Sequence, residues 1–373
     1  MMRKLTIDLN AVAKNLTAIR TLVGSNVKVM GVVKADAYGH GMLQVARKLE
    51  AEGIDFLGTA DLTEALTLRA AGIRSRILSW LHDPEDDFVA ALSHDIDLAV
   101  SSNDQLYRVQ KAAKSTGKTA RIHIKVDTGL RRNGVTLNEL EDLMANIKVA
   151  IADGLVVTAG IFSHLSSTGP KEDLAQIAKF DEALALADSH GFEFEVRHLT
   201  ASDGTLSYPQ AHYDMVRCGI ALYGLSPFSD NKAKEFGLTP VMCAEAKVVQ
   251  TKRVPAGSGV SYGYLYHTER ETTLALVPIG YAEGFPRNAT GKAKVCINGT
   301  LYPIQSRIAM DQFVVDVGDA SVSPGDRVVI FGDCGPSADD LADAAETINY
   351  EIVTRIGSRL NRVYLGAVEA SSN

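Results

Sequence analysis

Cysteine is scarce and scattered in this chain: Cys218, Cys243, Cys296 and Cys334 are the four, with no C-x-x-C spacing among them. That argues against a disulfide framework or a zinc site and predicts reduced thiols in a cytoplasmic protein. Long apolar runs are missing too. None approaches the roughly 18 residues of a membrane span, and Arg3 and Lys4 interrupt the opening before a signal-peptide core can form. Positive charge is not in excess: 38 Lys and Arg against 45 Asp and Glu leave −7. The basic residues are scattered, so no footprint for nucleic acid or an anionic membrane exists and a small-molecule partner is expected. With 31 Gly and 11 Pro in 373 residues, collagen-like and low-complexity classes are excluded, and no internal repeat occurs. What remains is ordinary globular material, 46% hydrophobic and 22% charged, long enough for two domains.

Residues 1–228 alternate between short β-branched runs and longer stretches of helical period, the pattern of a parallel sheet built from strand-helix units. The runs are Val27–Val33, Phe56–Thr59, Arg76–Trp80, Leu98–Ser101, Arg121–Val126, Thr158–Ser163, Glu195–Leu199 and Met215–Ala221. Amphipathic segments lie between them, including Met42–Leu49, Leu62–Ala71, Asn103–Lys114, Leu137–Ile147 and Glu172–Ser189, several entered through an Asp, Asn or Ser cap. Eight units predict an α/β fold, a (β/α)8 TIM-type barrel. A doubly wound open sheet would give the same alternation, but no G-x-G-x-x-G follows the first strand. In a barrel the catalytic groups gather at the C-terminal strand ends, here Lys34, Trp80, Lys125, His164, Ser202 and Arg217. Residues 229–373 change texture to apolar β runs separated by Gly and Pro: Val241–Thr251, Thr272–Ile279, Ala293–Ile297 and Val314–Val317, with Asn298-Gly299 as a hairpin signal. One helix is expected there, from the cap Ser337 to Leu360, in a mainly β C-terminal domain.

A lysine at a strand end is most often a solvated charge. At a barrel mouth, however, the Lys34 ammonium would be partly desolvated, which lowers its pKa and frees a nucleophilic amine for Schiff-base chemistry. Tyr38, four residues on, can donate to an anion, and Gly39 and Gly41 let backbone approach a ligand closely. Arg121, His123, Lys125 and Asp127 alternate with Ile122, Ile124 and Val126, which predicts four ionisable side chains sharing the lumen. They must pair with one another, as a ladder filling the barrel, or with a ligand. Thr128–Gly134 follows at the mouth, where an arginine could meet an anionic oxygen. Ser202 to Arg217 is 15 residues, too short for a full crossover helix plus strand. Barrels often hold phosphate in the loops after strands seven and eight, and the N–H groups of Gly219 and Ile220 with the Ser202 hydroxyl suit that anion. A Schiff-base lysine, a phosphate cradle and an inward arginine are the parts a pyridoxal phosphate site requires.

At this point the chain resembles the bacterial alanine racemases, barrel-type (fold III) pyridoxal phosphate enzymes. The matching stretches are Val33–Gly41, Lys125–Gly129, Met215–Ile220, Val260–Tyr264, Ile279–Ala282 and Met310–Gln312, spread over nearly the whole chain. The resemblance implies interconversion of L- and D-alanine, with D-alanine going to peptidoglycan. It implies Lys34 as the residue that holds the cofactor covalently, Tyr38, Ser202, Gly219 and Ile220 as phosphate-binding positions, and Arg217 facing the pyridine nitrogen. An arginine, with pKa above about 12, cannot protonate that nitrogen, so the ring is a weaker electron sink and side reactions are fewer. Racemisation needs a proton removed from one face of Cα and returned on the other. The family's two groups correspond to Lys34 and Tyr262, with His164 coupling Tyr262 to Arg217. A phenol of pKa near about 10 needs such help to act at neutral pH. Arg132 matches the residue that contacts the substrate carboxylate, and Met310 and Asp311 match residues closing over the substrate. Lys125 matches a position that carries a carbamate in many members; an ordinary Lys125–Asp127 pairing is the alternative. Tyr262, Met310 and Asp311 would complete the site of the other subunit in a homodimer.

Three positions depart from the family pattern. Ala201 stands where Asn commonly precedes the phosphate-binding serine, Leu165–Pro170 replaces an Ala- and acid-containing run, and Ser358 stands where some members place a tyrosine. The last bears on strictness for alanine, and a racemase of broader small amino-acid specificity, accepting serine, is the first alternative. A decarboxylase on the same barrel would use an acidic partner for the ring nitrogen and a triple-glycine loop, both absent here. A non-catalytic pyridoxal phosphate carrier would not need a second domain bearing Tyr262.

Overall fold

The computed structural model describes residues 1–229 and 233–368. The chain forms two compact units: Leu16–Ala37 with Val45–Leu222, and Met1–Asn15 with Tyr38–Gln44 and the chain from Tyr223 on. Strand β1 (Arg3–Asp8) therefore belongs with the second unit.

The first unit is a nearly closed parallel barrel with helices between its strands. Its strands are β2 (Lys28–Val32), β3 (Phe56–Thr59), β4 (Arg76–Ser79), β5 (Asp97–Val100) and β6 (Ala120–Asp127). After a two-residue strand, β7 (Val135–Thr136), come β8 (Val156–Phe162), β9 (Val196–His198) and β10 (Met215–Cys218). The hydrogen-bonded order is β10-β2-β3-β4-β5-β6-β8-β9. The ring is drawn together by Asp214 N donating to Arg197 O and Arg217 N donating to Thr200 O, both at 3.0 Å. The predicted caps form: Asp61 accepts from Glu64 N at the start of Leu62–Ala70, and Ser102 accepts from Gln105 N at the start of Asn103–Thr116, a helix that ends on left-handed Gly117. Met30, Phe56, Leu78, Val196 and Met215 form a buried apolar cluster, and partly buried Trp80 packs against it. Of the two readings for Arg121, the ladder is what forms. Its guanidinium and that of Arg76 both bind Asp97 and Glu195, at 2.7–3.2 Å.

The second unit is mainly β. Its strands are β11 (Met242–Lys247), β12 (Gln250–Val254), β13 (Gly259–Val260), β14 (Tyr266–His267), β15 (Thr272–Val277), β16 (Lys294–Ile297), β17 (Thr300–Pro303), β18 (Phe313–Gly318), β19 (Arg327–Phe331) and β20 (Asn361–Leu365). A six-stranded sheet has the order β17-β16-β19-β11-β1-β20, and β12-β15-β18 form a second sheet. The Asn298-Gly299 turn joins β16 to β17, with both residues at positive φ. Two expectations need correction. The run Val241–Thr251 is not one strand: β11 and β12 lie in different sheets. The single helix from Ser337 is two, Ala338–Ala344 and Asn349–Thr354. Glu346 turns left-handed between them (φ 55°), and Ile348 is extended. The buried Asn349 amide fastens the break, donating to Asp339 Oδ1 (2.6 Å) and Ser226 O (2.7 Å). Among the described residues no helix is long and apolar enough to cross a membrane.

Candidate active site

In the barrel unit, β2 delivers Lys34 into a turn whose next three residues, Ala35–Ala37, have φ of 52–54°. Left-handed backbone costs L-residues about 1–2 kcal/mol each, so something must hold the turn. Glu64 does: Oε1 accepts from Ala35 N (2.6 Å) and Oε2 from Ala60 N (2.9 Å). Burial and then the Arg132 charge push the Lys34 ammonium below its ordinary pKa, while Glu64 pulls the other way. The net effect favours a neutral amine.

Lys125 lies buried on β6 with its Nζ 5.5 Å from the Phe162 ring centroid. Burial, with Arg217, Arg132 and Lys34 around it, lowers its pKa to about 8. The alternative raised for Lys125, an ion pair with Asp127, is not among those formed by the described residues. Asp127 Oδ1 instead accepts from Gly129 N (2.9 Å) and Arg131 N (3.0 Å), shaping the loop that carries Arg132. Gly134 closes that loop at φ 127°, where a Cβ would come within 2.6 Å of Asp127 N. Arg132 is exposed at the loop.

Arg217 is buried on β10. Its Nη2 donates to Ser163 O (2.7 Å) and Leu199 O (2.9 Å), with His164 Nδ1 at 3.2 Å sharing one of those two hydrogens, and its Nη1 donates to His198 Nδ1 (3.1 Å). Desolvation lowers its pKa to about 10, so it stays charged at neutral pH. Burial and then the same arginine hold His164 well below the ordinary imidazole value, hence neutral. Because Arg217 donates to Nδ1, the His164 proton sits on Nε2. Ser202 Oγ accepts from Gly219 N (3.1 Å) and Ala221 N (3.3 Å). With both lone pairs engaged, its own hydrogen is left to donate. The Gly219 N–H is thus tied to Ser202, and Ile220 begins a short 3-10 turn.

In the β unit, the Tyr38 ring packs 5.0 Å from Tyr223 and 6.0 Å from Tyr350, centroid to centroid. Tyr262 stands 72% exposed on a short turn flanked by Ser261 (φ 60°), and Met310 is 53% exposed. The Met310 loop is pinned by Tyr281 N to Ala309 O (3.1 Å) and Ala282 N to Met310 O (2.9 Å). Asp311 accepts from Arg359 Nη1 (2.5 Å), whose Nε pairs with buried Glu283 (3.0 Å). Sequence reasoning did not single out Glu64, Asp97, His198, Glu283 or Arg359. For His198 a signal existed: it sits two residues from Val196 on the inward face of its strand.

Lys34, Lys125, Arg132 and Arg217 act electrostatically on the barrel's buried groups, with Glu64 and Asp127 the partly offsetting carboxylates. Such a donor set suits a small anion bearing a carbonyl that reacts with an amine, and pyridoxal phosphate fits it. Family models described as the alanine racemase N-terminal and C-terminal domains match residues 7–227 and 241–364. The chain is 48% identical to an alanine racemase of Thermobifida fusca, with 97% of this chain and 98% of the relative covered. It superposes on the crystal structure of alanine racemase from D-cycloserine-producing Streptomyces lavendulae with TM-score 0.96, at 45% identity, covering 99% and 98% of the two chains. A Bacillus anthracis alanine racemase with bound L-Ala-P gives TM-score 0.86 at 31% identity, covering 99% and 97%. By fold and by sequence over nearly its full length, this chain belongs to the alanine racemase family.

Proposed function

We propose that this chain interconverts L- and D-alanine with pyridoxal phosphate, supplying D-alanine for peptidoglycan, as a homodimer whose subunits share their sites. The observation that carries the reading is the Lys34 amine, lowered in pKa and held by Glu64 amid Lys125, Arg132 and Arg217, in a chain of this family.

When bound, pyridoxal phosphate draws electron density from Cα of an amino acid joined to it, which makes the Cα proton removable. Lys34 holds the cofactor and, once released, takes or returns the proton at Nζ on one face. Tyr262 does the same at Oη on the other. Neutral His164, with its hydrogen on Nε2, is a donor to the tyrosine oxygen and so favours the phenolate. Arg217 spends both Nη2 hydrogens and one Nη1 hydrogen on protein acceptors. Its Nε hydrogen, which has no protein acceptor among the described residues, would serve the ring nitrogen, to which an arginine gives a hydrogen bond and no proton. Ser202 would donate its hydroxyl to the phosphate, with Gly219 and Ile220 beside it, and Tyr38 corresponds to a further phosphate-binding position of the family. Arg132 and the backbone at Met310 take the substrate carboxylate, with Asp311 positioning the Met310 loop. A carbamate on Lys125 would convert one cation of this set into an anion able to orient Arg132. Its chemistry requires a neutral amine, and a pKa of about 8 supplies about a tenth of that form at pH 7.

The exposure of Tyr262 and Met310 supports their use by a second copy. Mixing Lys34→Ala with Tyr262→Phe, each inactive alone, tests both assignments. If the two groups come from different subunits, half of the dimers are mixed and each mixed dimer has one intact site, so activity returns to about a quarter of the parent level. No recovery in demonstrably mixed dimers would contradict sharing.

A further inference from the structure

A chain of hydrogen bonds runs down the barrel from Arg217 to a carboxylate on the opposite side. Arg217 Nη1 lies 3.1 Å from His198 Nδ1, His198 Nε2 lies 3.0 Å from His123 Nδ1, and His123 Nε2 lies 3.3 Å from Asp97 Oδ2. All four residues are buried, on β10, β9, β6 and β5. An arginine only donates, so His198 must accept at Nδ1 and carry its hydrogen on Nε2. His123 must then accept at Nδ1 and carry its own hydrogen on Nε2, which points at Asp97. The carboxylate end is fixed too: Asp97 accepts from Arg76 Nη2 (2.7 Å) and Arg121 Nε (3.2 Å), and these pair with half-exposed Glu195. Every donor and acceptor direction along the chain is therefore set by an arginine at one end and a carboxylate at the other.

The surroundings keep the chain dry and rigid. Phe162 stacks on His198 with centroids 4.7 Å apart and planes 2° from parallel, and Phe56 meets His123 edge-on at 6.2 Å. Gly160 leaves room for His123: a Cβ there would lie 2.3 Å from Nδ1. Among the described residues no carboxylate forms an ion pair with Arg217, although its guanidinium is desolvated. A buried charge without a counter-charge is costly, and polarised hydrogen-bond chains transmit compensation inside a low dielectric.

We infer that Asp97 and His123, acting through His198, are positioning residues that hold the Arg217 guanidinium charged and aimed at the cofactor's ring nitrogen. The inference rests on the reading of Arg217 given above. Asp97→Asn keeps the size of the side chain but removes the charge, and its amide can donate to His123 Nε2. His123 would then carry its hydrogen on Nδ1, and His198 would present a second donor to Arg217.

The test is long-range proton–nitrogen correlation of 15N-histidine-labelled protein at pH 7.5, with and without pyridoxal phosphate. The parent should show His123 and His198 neutral with hydrogen on Nε2 in both forms. An Nδ1–H or imidazolium state at either overturns the inference, whether or not the variant folds. In folded Asp97→Asn, both rings should shift toward Nδ1–H, the absorption band of the bound cofactor should move, and cofactor loss should quicken about tenfold or more. Asp97→Glu should restore the parent pattern. Unchanged tautomers in Asp97→Asn overturn the inference. Switched tautomers with an unchanged cofactor spectrum support the chain and overturn the assignment of Arg217 to the ring nitrogen.

Discussion

Replacing Lys125 by methionine should stabilise the cofactor-free protein at neutral pH. Lys125 is buried among cations, and its pKa falls from 10.5 to about 8. At about 1.4 kcal/mol per pH unit, that difference is a penalty of about 3 kcal/mol on the folded state whenever the lysine is charged in both states. Methionine preserves the stem and forfeits the cation over Phe162, worth about 0.5–1 kcal/mol, so the variant should gain about 2 kcal/mol at pH 7. The sign with pH is fixed. Below about 8 the group is charged both folded and unfolded, and the full penalty applies. From there to 10.5 the unfolded chain holds more protons than the folded one, so the parent gains stability as pH rises. Above 10.5 the gap should have closed. Urea unfolding of parent and variant at equal protomer concentration, in carbon-dioxide-free buffer to prevent carbamate formation, measures this directly. A parent as stable as the variant at pH 7, or a gap independent of pH, would refute the placement of Lys125 in a cationic, desolvated pocket.

Other outcomes follow from particular contacts. Gly160→Ala places a methyl 2.3 Å from His123 Nδ1 and 2.9 Å from Val196 O; the overpacking should cost about 1–3 kcal/mol or more, read as a lowered melting temperature. Ser202→Ala leaves the Gly219 and Ala221 N–H groups without their shared acceptor. It should destabilise the cofactor-free protein by about 1–3 kcal/mol and weaken pyridoxal phosphate binding, measured by unfolding and by cofactor titration. Ser358→Tyr should lower kcat/KM for serine relative to alanine, because the smaller side chain is the one expected to admit the serine hydroxymethyl group; an unchanged ratio removes that account of specificity.

The barrel was readable because its signal is local. Runs such as Phe56–Thr59 are buried on both faces and bounded by caps, and Asp61 and Ser102 cap the helices where their side chains predict. The strand bearing Arg121, His123 and Lys125 also declared its inward face by alternation. What was not readable depends on partners distant in sequence. β1 pairs with β11 and β20, more than 200 residues away, and no local pattern announces that. Asp97 looks like a residue preceding the apolar run Leu98–Ser101, and only Arg76, Arg121 and His123 make it a buried hub. The left-handed turn at Ala35–Ala37 runs against the strong right-handed helix preference of alanine, and Glu64, on another helix, is what holds it. Glu346 breaks the expected C-terminal helix without a glycine or proline to mark the place. The catalytic assignments came from motif resemblance, since neither exposed Tyr262 nor half-buried Lys34 differs in composition from ordinary packing or surface residues.

The central claim is that Lys34 holds the cofactor and that a proton crosses from one face of Cα to the other. Borohydride reduction of the pyridoxal phosphate-loaded enzyme with peptide mapping, coupled to turnover of L- and D-alanine in deuterium oxide, tests it most directly. The account predicts label on Lys34 alone and deuterium at Cα of the inverted product from either enantiomer. Label on any other lysine, or exchange at Cα with retention and no inversion, would contradict it.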